Sequence, residues 1–378
     1  MGVSIDVHQR AVWPALRRLT GILFLILVYS AVAATTLDRF MTRNGSLSHK
    51  MGLSFDRYLA QDVPKPFAYR VLMPLIVEAA TPVILARLSE GQREKLVMTS
   101  PLRRYMAVAA GVPLPLDVSL RYHLGYVMAF TALIGLAFAL RALSLAAAPQ
   151  ARDFANLAPV AFVLLLPLTF LHGGYLYDFP ELMFLTLAFW AMVRGHLIAL
   201  LCVMPLAILN KESNILIAVF FAAYAWRRFG DRAMTARVAA VTAMAFVSFG
   251  IGRLIASDAS GVSLMDNLDK NLSFLTTPQS WFLWFAPYDG LIGFPRGYNL
   301  LLTGLLLLFL ITGWHHWSLG TRRVLLVAFA LNAYLVTAHG YRDETRNWSL
   351  VFIPLFLAAI EYRAALPRGN VQPAARSG

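Results

Sequence analysis

The sequence predicts an all-α fold, a polytopic transmembrane bundle of about ten spanning helices with interfacial helices in its first and its long outer loops. Three observations lead there. Of the 378 residues, 58% are hydrophobic and 14% charged, where a soluble domain of this length is about a quarter charged; mean hydropathy is +0.62. Almost uninterrupted apolar runs occupy Gly21–Ala34, Leu124–Leu140, Leu182–Val193, Ile215–Trp226, Leu300–Trp314 and Val351–Ile360. With their flanks several reach the roughly 20 residues that cross a bilayer as a helix, and their even Leu, Ala, Phe and Val content lacks the alternation of a β-barrel. Arginines then collect at alternate ends of these runs: Arg17-Arg18, Arg141, Arg194, Arg227-Arg228, Arg322-Arg323 and Arg363 on one side, compact acid–base motifs on the other.

Short loops rich in arginine stay on the cytoplasmic side, so the N-terminus is read as cytoplasmic. Helix one then covers Leu19–Thr36, and residues 37–120 form the first outer loop. Helix two spans Arg121–Ala142, helix three Leu157–Leu171 and helix four Asp178–Val193. Helix five ends at Asn210-Lys211-Glu212, helix six at Arg227-Arg228, and helix seven covers Val238–Leu254 before a long outer loop over residues 256–297. Helix eight finishes at His315-His316, helix nine emerges at His339, and helix ten returns from Trp348 to Arg363. Residues 1–365 thus form one helical domain, followed by a cytoplasmic tail, 366–378, expected to be disordered. Arg253 and the 342–346 cluster are the main exceptions to the arginine rule. The expected location is the cytoplasmic (inner) membrane, with both termini inside.

Two segments need separate treatment. Val71–Leu88 is apolar but carries Pro74, Glu78 and Pro82, and counting it as a span would reverse every later loop; it is read as an amphipathic helix at the outer interface or re-entering the bilayer. Arg10, Arg17 and Arg18 before Gly21–Ser30, with Ala31-Val32-Ala33 after it, also have the layout of a cleavable signal peptide. The topology above takes that segment as retained. In the long outer loop, Leu264, Met265, Leu268 and Leu272 share one helical face, and Trp281, Trp284 and Phe285 follow as interface anchors or sugar-stacking rings.

The formal charge of +13 does not indicate nucleic acid, because no basic stripe with interleaved aromatics occurs. Cys202 is the only cysteine, so no intrachain disulfide forms. No zinc-type spacing, Gly-rich nucleotide loop or nucleophile elbow is present. The adjacent His315 and His316 are read as an interfacial cap.

Four motifs fall on the same predicted outer side. Asp56, in Ser54–Ala60, is placed to act as a general base on an acceptor hydroxyl, or else pairs with Arg57 or Arg70 as a solvated loop acid; Asp62 lies six residues on. Tyr177-Asp178-Phe179-Pro180-Glu181 suits a helix start, with Asp178 as N-cap and Glu181 as its capping-box partner. Glu181 would be costly facing lipid and so faces a polar cavity. Lys211, in Asn210-Lys211-Glu212-Ser213, either pairs with Glu212 or receives an anion such as a phosphate. Arg342 and Arg346, with Asp343 and Glu344 between them, either fork onto a phosphate or neutralise one another in a loop.

This arrangement resembles the GT-C superfamily of membrane glycosyltransferases, which use polyprenyl-phosphate sugars. The likeness covers most of the chain at the level of architecture. Its specific motifs are few: Asp56 in loop one, Lys211-Glu212, and the segment around Glu344 and Arg346. Family members often carry adjacent acids in loop one, and many have a soluble domain after the last helix; Asp56 stands alone and no such domain follows here. The resemblance implies that Asp56 is the catalytic base and that the acceptor attacks the anomeric carbon. Arg70, Lys211, Arg342 and Arg346 would bind the donor phosphate. Asp178, Glu212, Asp343 and Glu344 would support them or hold a divalent metal such as Mg or Mn, which nothing in the sequence requires. The implied partners are a polyprenyl-phosphate-linked sugar, the bilayer, and a glycan, lipid or protein acceptor. A lipid-linked glycan polymerase or ligase, a transporter or flippase, and a non-catalytic complex subunit are the alternatives.

Overall fold

Long apolar stretches fold as helices because a helix satisfies its own backbone hydrogen bonds where no water can. The computed structural model describes residues 5–44, 55–59, 62–99, 102, 115–170, 174–226, 230–261, 266–285, 294–342 and 344–366, with the side chains of all but 5–15, 18, 43, 44, 55, 56, 285 and 294. All of the expected tail but Leu366 therefore lies outside the described residues, as do Ser54, Arg227-Arg228, Leu264 and Met265.

The helices in chain order are α1 (Ile5–Asn44), α2 (Phe55–Leu59), α3 (Leu72–Leu85), α4 (Glu90–Met98), α5 (Leu116–Ala147), α6 (Arg152–Leu165) and α7 (Asp178–Arg194). They continue as α8 (Leu197–Asn210), α9 (Ile217–Ala225), α10 (Arg232–Ile255), α11 (Leu268–Thr276), α12 (Leu300–Gly313), α13 (Leu319–His339) and α14 (Ser349–Ala365). Between α11 and α12 a two-residue antiparallel ribbon sets β1 (Trp284–Phe285) against β2 (Phe294–Pro295).

All ten expected spans coincide with a helix. Among the described residues, however, six helical segments are long and apolar enough to cross a membrane: Leu19–Thr42, Leu116–Ala147, Pro149–Thr169, Arg232–Ile255, Leu319–His339 and Thr345–Ala365. The other four are short. At 1.5 Å per residue, the 14 residues of α8 cover about 21 Å and the 17 of α7 about 25 Å, against a hydrocarbon core of about 30 Å. The segment expected at Val71–Leu88 is the 14-residue α3, which alone is too short to span. It buries Met73, Val77 and Thr81 against α5 and α8 while Leu75, Ile76 and Val83 stay exposed.

The core is the pairing of α5 with α7, where Leu133, Leu136 and Leu140 meet Leu185, Ala188 and Phe189. Gly195, in the left-handed conformation at φ 71°, ends α7 and turns the chain straight into α8. That tight turn makes α7 and α8 an antiparallel hairpin and sets the end of α8 beside the start of α7. Outside the hairpin, α10 covers α8, α9 packs on α13, and α14 closes against α5, α7 and α13. On the other side of α5, α1 runs parallel to α6: Tyr29 donates to the Asn156 carbonyl at 3.2 Å and Thr36 to that of Val163 at 3.1 Å.

Candidate functional site

The first turn of α7 departs from the capping box expected there. Tyr177 occupies the N-cap position without a side-chain cap bond, and Asp178 accepts from the backbone N–H of Tyr175 at 2.9 Å. Glu181 does not return to the helix start, because other elements claim it. Its fully buried carboxylate accepts from Lys211 Nζ at 2.7 Å and from the Ser349 hydroxyl, on α14, at 2.8 Å. Lys211 also lies 3.6 Å from Asp178. Lys211 thus crosses the hairpin to α7 instead of pairing with its neighbour Glu212. Acids at a helix start and a lysine at a helix end also match the helix dipoles.

Glu212 turns the other way. Arg70, delivered by the 3₁₀ turn Phe67–Tyr69, forks onto it with two N–H···O bonds of 3.2 Å. The same guanidinium donates to the Tyr177 hydroxyl and lies over the rings of Phe67 and Tyr177, at 4.9 and 4.6 Å. Tyr177 stacks on Tyr175 at 4.9 Å, and Arg346 lies over Tyr175 at 4.7 Å. Arg346 then bonds Glu344 at 2.6 Å and Asp178 at 3.2 Å, which closes the network.

The cluster holds four acids, Asp178, Glu181, Glu212 and Glu344, against three bases, Arg70, Lys211 and Arg346. Burial opposes the charge on Arg70, but Glu212 and Tyr177 outweigh it and hold its pKa well above the usual arginine value. Burial pushes the Tyr175 and Tyr177 phenols up, and the Tyr177 hydroxyl accepts the Arg70 N–H. Burying this many charges is tolerable only where every one is paired. The void at its edge, lined by Tyr69, Glu212 and Arg253 among others, measures about 10 Å³, room for about one water.

Of the residues singled out in the sequence, Arg70, Lys211, Arg346, Asp178, Glu212 and Glu344 are brought together here. Arg342 is not: it is exposed, its guanidinium lies over the neighbouring Tyr341 ring at 5.2 Å, and its backbone N–H bonds Asn271 at 2.7 Å. The two arginines share no helical face, because Arg342 sits in the left-handed region at φ 44° and breaks the chain direction between them. Asp343 lies outside the described residues, as does the side chain of Asp56. The backbone of Asp56 belongs to α2, and that helix docks on the cluster: the Tyr58 hydroxyl donates to the Arg70 carbonyl at 2.7 Å and its ring lies 5.3 Å from Tyr177. The loop acid that pairs with Arg57 is Asp62, at 2.9 Å in an exposed contact.

Sequence reasoning left Glu181, Ser349, Asn210, Tyr58, Tyr175 and Tyr177 out of the site. Glu181 gave a signal of its own, as a carboxylate inside an apolar segment; Tyr58, Tyr177 and Asn210 stood in the motifs without a role, and they join through tertiary contacts such as Asn210 Nδ2 to the Tyr177 carbonyl at 2.9 Å. For a divalent ion, Asp178 and Glu344 converge on the Arg346 guanidinium, which occupies the space between them. No group of three or more potential metal ligands occurs among the described residues. Comparison with protein-family models, curated proteins and solved structures gives no match.

Proposed function

We propose that this chain is a membrane glycosyltransferase of the GT-C type, moving a sugar from a polyprenyl-phosphate donor to an acceptor at the outer face of the cytoplasmic membrane. The observation that carries the reading is the docking of α2 on the ion-pair cluster through Tyr58. It brings the helix of the proposed base, Asp56, to the one place where Arg70, Lys211 and Arg346 gather. Asp56 takes the acceptor proton, the acceptor oxygen attacks the anomeric carbon with inversion, and the bond to the lipid phosphate breaks. Arg346 and Lys211 stabilise the leaving phosphate by exchanging carboxylate partners for it, and exposed Arg342 meets the donor first. Preorganised cations of this kind are each worth about 3 kcal/mol of transition-state stabilisation.

In a ten-span topology with both termini cytoplasmic, α7, α8 and α9 are too short to reach both surfaces. Their charged ends then sit below the outer surface, at the depth of a lipid phosphate, which accounts for the complete pairing of the cluster. A second reading, a non-catalytic membrane subunit, is favoured by the self-neutralised cluster and its void of about 10 Å³. One experiment separates them. The protein in lipid nanodiscs is given labelled hexosyl and pentosyl polyprenyl phosphates, and release of polyprenyl phosphate is followed. Transfer by the wild type, reduced about 100-fold or more in Asp56→Asn, supports the enzyme. Wild-type rates in Asp56→Asn remove the base role, and no turnover of any donor leaves the subunit reading.

A further inference from the structure

A second cavity has no part in that site. It measures about 530 Å³ and lies between α1, α5 and α6, within the roughly 300–1,000 Å³ usual for ligand pockets. α6 and the turn after it run from Asn156, which lines this cavity, to Thr169, whose carbonyl accepts from Thr345 beside Arg346. Thirteen residues of helix, about 20 Å, therefore separate the cavity from the ion-pair cluster.

Its walls are apolar, with Phe24, Val28 and Leu157 among them, and its polar groups are Arg17, Arg141 and Asn156. Asn156 is fixed from both sides: its carbonyl accepts from Tyr29 and its Oδ1 from Arg141 Nε at 2.7 Å. That bond leaves the two terminal nitrogens of Arg141 without a partner among the described residues. No carboxylate among the described residues lies within ion-pair distance of Arg17 or Arg141. Two cations without counter-ions among the described residues, both lining one apolar groove, call for an anion attached to a hydrocarbon chain. From Arg17 to Val28 along α1 is 11 residues, about 16 Å, close to the roughly 15 Å of one leaflet's hydrocarbon. The flanking α1 side chains Leu19, Ile22, Leu23, Phe24 and Leu27 are all more than half exposed, as a lipid-facing wall requires.

We infer that this groove binds one anionic glycerophospholipid, with its phosphate between Arg17 and Arg141 and one acyl chain laid along α1 toward Val28. Basic pockets between membrane helices bind anionic headgroups in this way. The site closes the cleft between α1 and the α5–α6 pair with lipid instead of protein. It does not depend on the glycosyl-transfer reading.

Native mass spectrometry of the protein taken from a bilayer of equal phosphatidylglycerol and phosphatidylcholine tests this. Wild type is expected to retain one phosphatidylglycerol preferentially, and Arg17→Gln with Arg141→Gln to lose that preference by roughly tenfold or more. Arg322→Gln with Arg323→Gln is expected to keep it. Since Arg141 also holds Asn156, a variant that spares both arginines guards against misfolding. Gly21 lines the groove, and a Cβ built there meets nothing within 4 Å. Gly21→Phe is expected to fill the space and expel the lipid with no loss of melting temperature in detergent. Equal retention of the two lipids by the wild type, or retained preference in both the double arginine variant and Gly21→Phe, overturns the proposal. Displacement of phosphatidylglycerol by equimolar polyprenyl phosphate overturns the choice of occupant.

Discussion

Lys211 and Glu181 meet at 2.7 Å across the α7–α8 hairpin, with the Glu181 side chain wholly buried. Removing one partner of such a pair leaves an uncompensated buried charge, which costs about 3–5 kcal/mol, whereas replacing both by apolar groups is often near neutral. Lys211→Met is expected to lower the unfolding midpoint in detergent sharply, and Glu181→Leu less, since Lys211 keeps Asp178 at 3.6 Å. The double variant is expected to be more stable than either single one, because Asp178 keeps Arg346 as its partner. A double variant that loses the sum of both penalties would show that the two residues do not act as a pair.

Arg70→Lys tests the fork. A lysine keeps the charge but cannot make two parallel bonds to Glu212 or lie flat over Phe67 and Tyr177. The expected loss is about 1–3 kcal/mol. In a Glu212→Gln background the same substitution is expected to cost less, and unchanged cost in that background would place the value of Arg70 in its contact with Tyr177.

The helical class and the convergence of polar motifs were legible because both follow from local rules. Apolar run length gives the helices, and charges confined to helix ends in an apolar chain must gather where they can pair. The partners were not legible. The sequence offered Lys211 its neighbour Glu212, but the short turn at Gly195 brings Asp178 and Glu181 closer, and that depends on how α7 and α8 pack. In the same way, Asp178 suited an N-cap until Arg346 arrived from 168 residues away. Six of the ten expected spans are long enough, among the described residues, to cross a membrane, because hydropathy marks an apolar run without fixing where its helix stops. Arg342 and Arg346 separated because Arg342 itself takes a left-handed conformation, which spacing does not reveal.

The buried phenols give the cluster a one-sided pH dependence. Tyr177 has its pKa raised by burial, so the folded state holds its proton while an unfolded tyrosine releases it near pH 10. This contribution is complete below about pH 10 and is lost as pH rises from there toward the folded value. Melting temperature between about pH 8 and pH 11 is therefore expected to fall at the alkaline end. Tyr177→Phe should start lower, since Arg70 loses an acceptor, but decline less steeply. An identical slope in the variant would move the effect to other tyrosines.

Asn271 fastens α11 to the end of α13. It is 3% exposed, its amide nitrogen lies 3.0 Å from the carbonyls of Val336, Thr337 and Gly340, and its oxygen accepts from the Arg342 N–H at 2.7 Å. Asn271→Ala strands these groups, and each buried unsatisfied one costs about 1–3 kcal/mol. Hydrogen exchange is expected to speed up across residues 336–342, with little change in α5 and α7, since α11 packs on α13. Arg342→Gly works in the opposite direction. Its φ of 44° is strained for a side-chain-bearing residue and free for glycine, while the backbone bond to Asn271 survives the change. Stability is therefore expected to hold or rise, whereas Arg342→Val should lower it by about 1 kcal/mol or more. Since Arg342 makes no ion pair within the cluster, a destabilised Arg342→Gly would mean that its side chain, and not its turn, holds the segment in place.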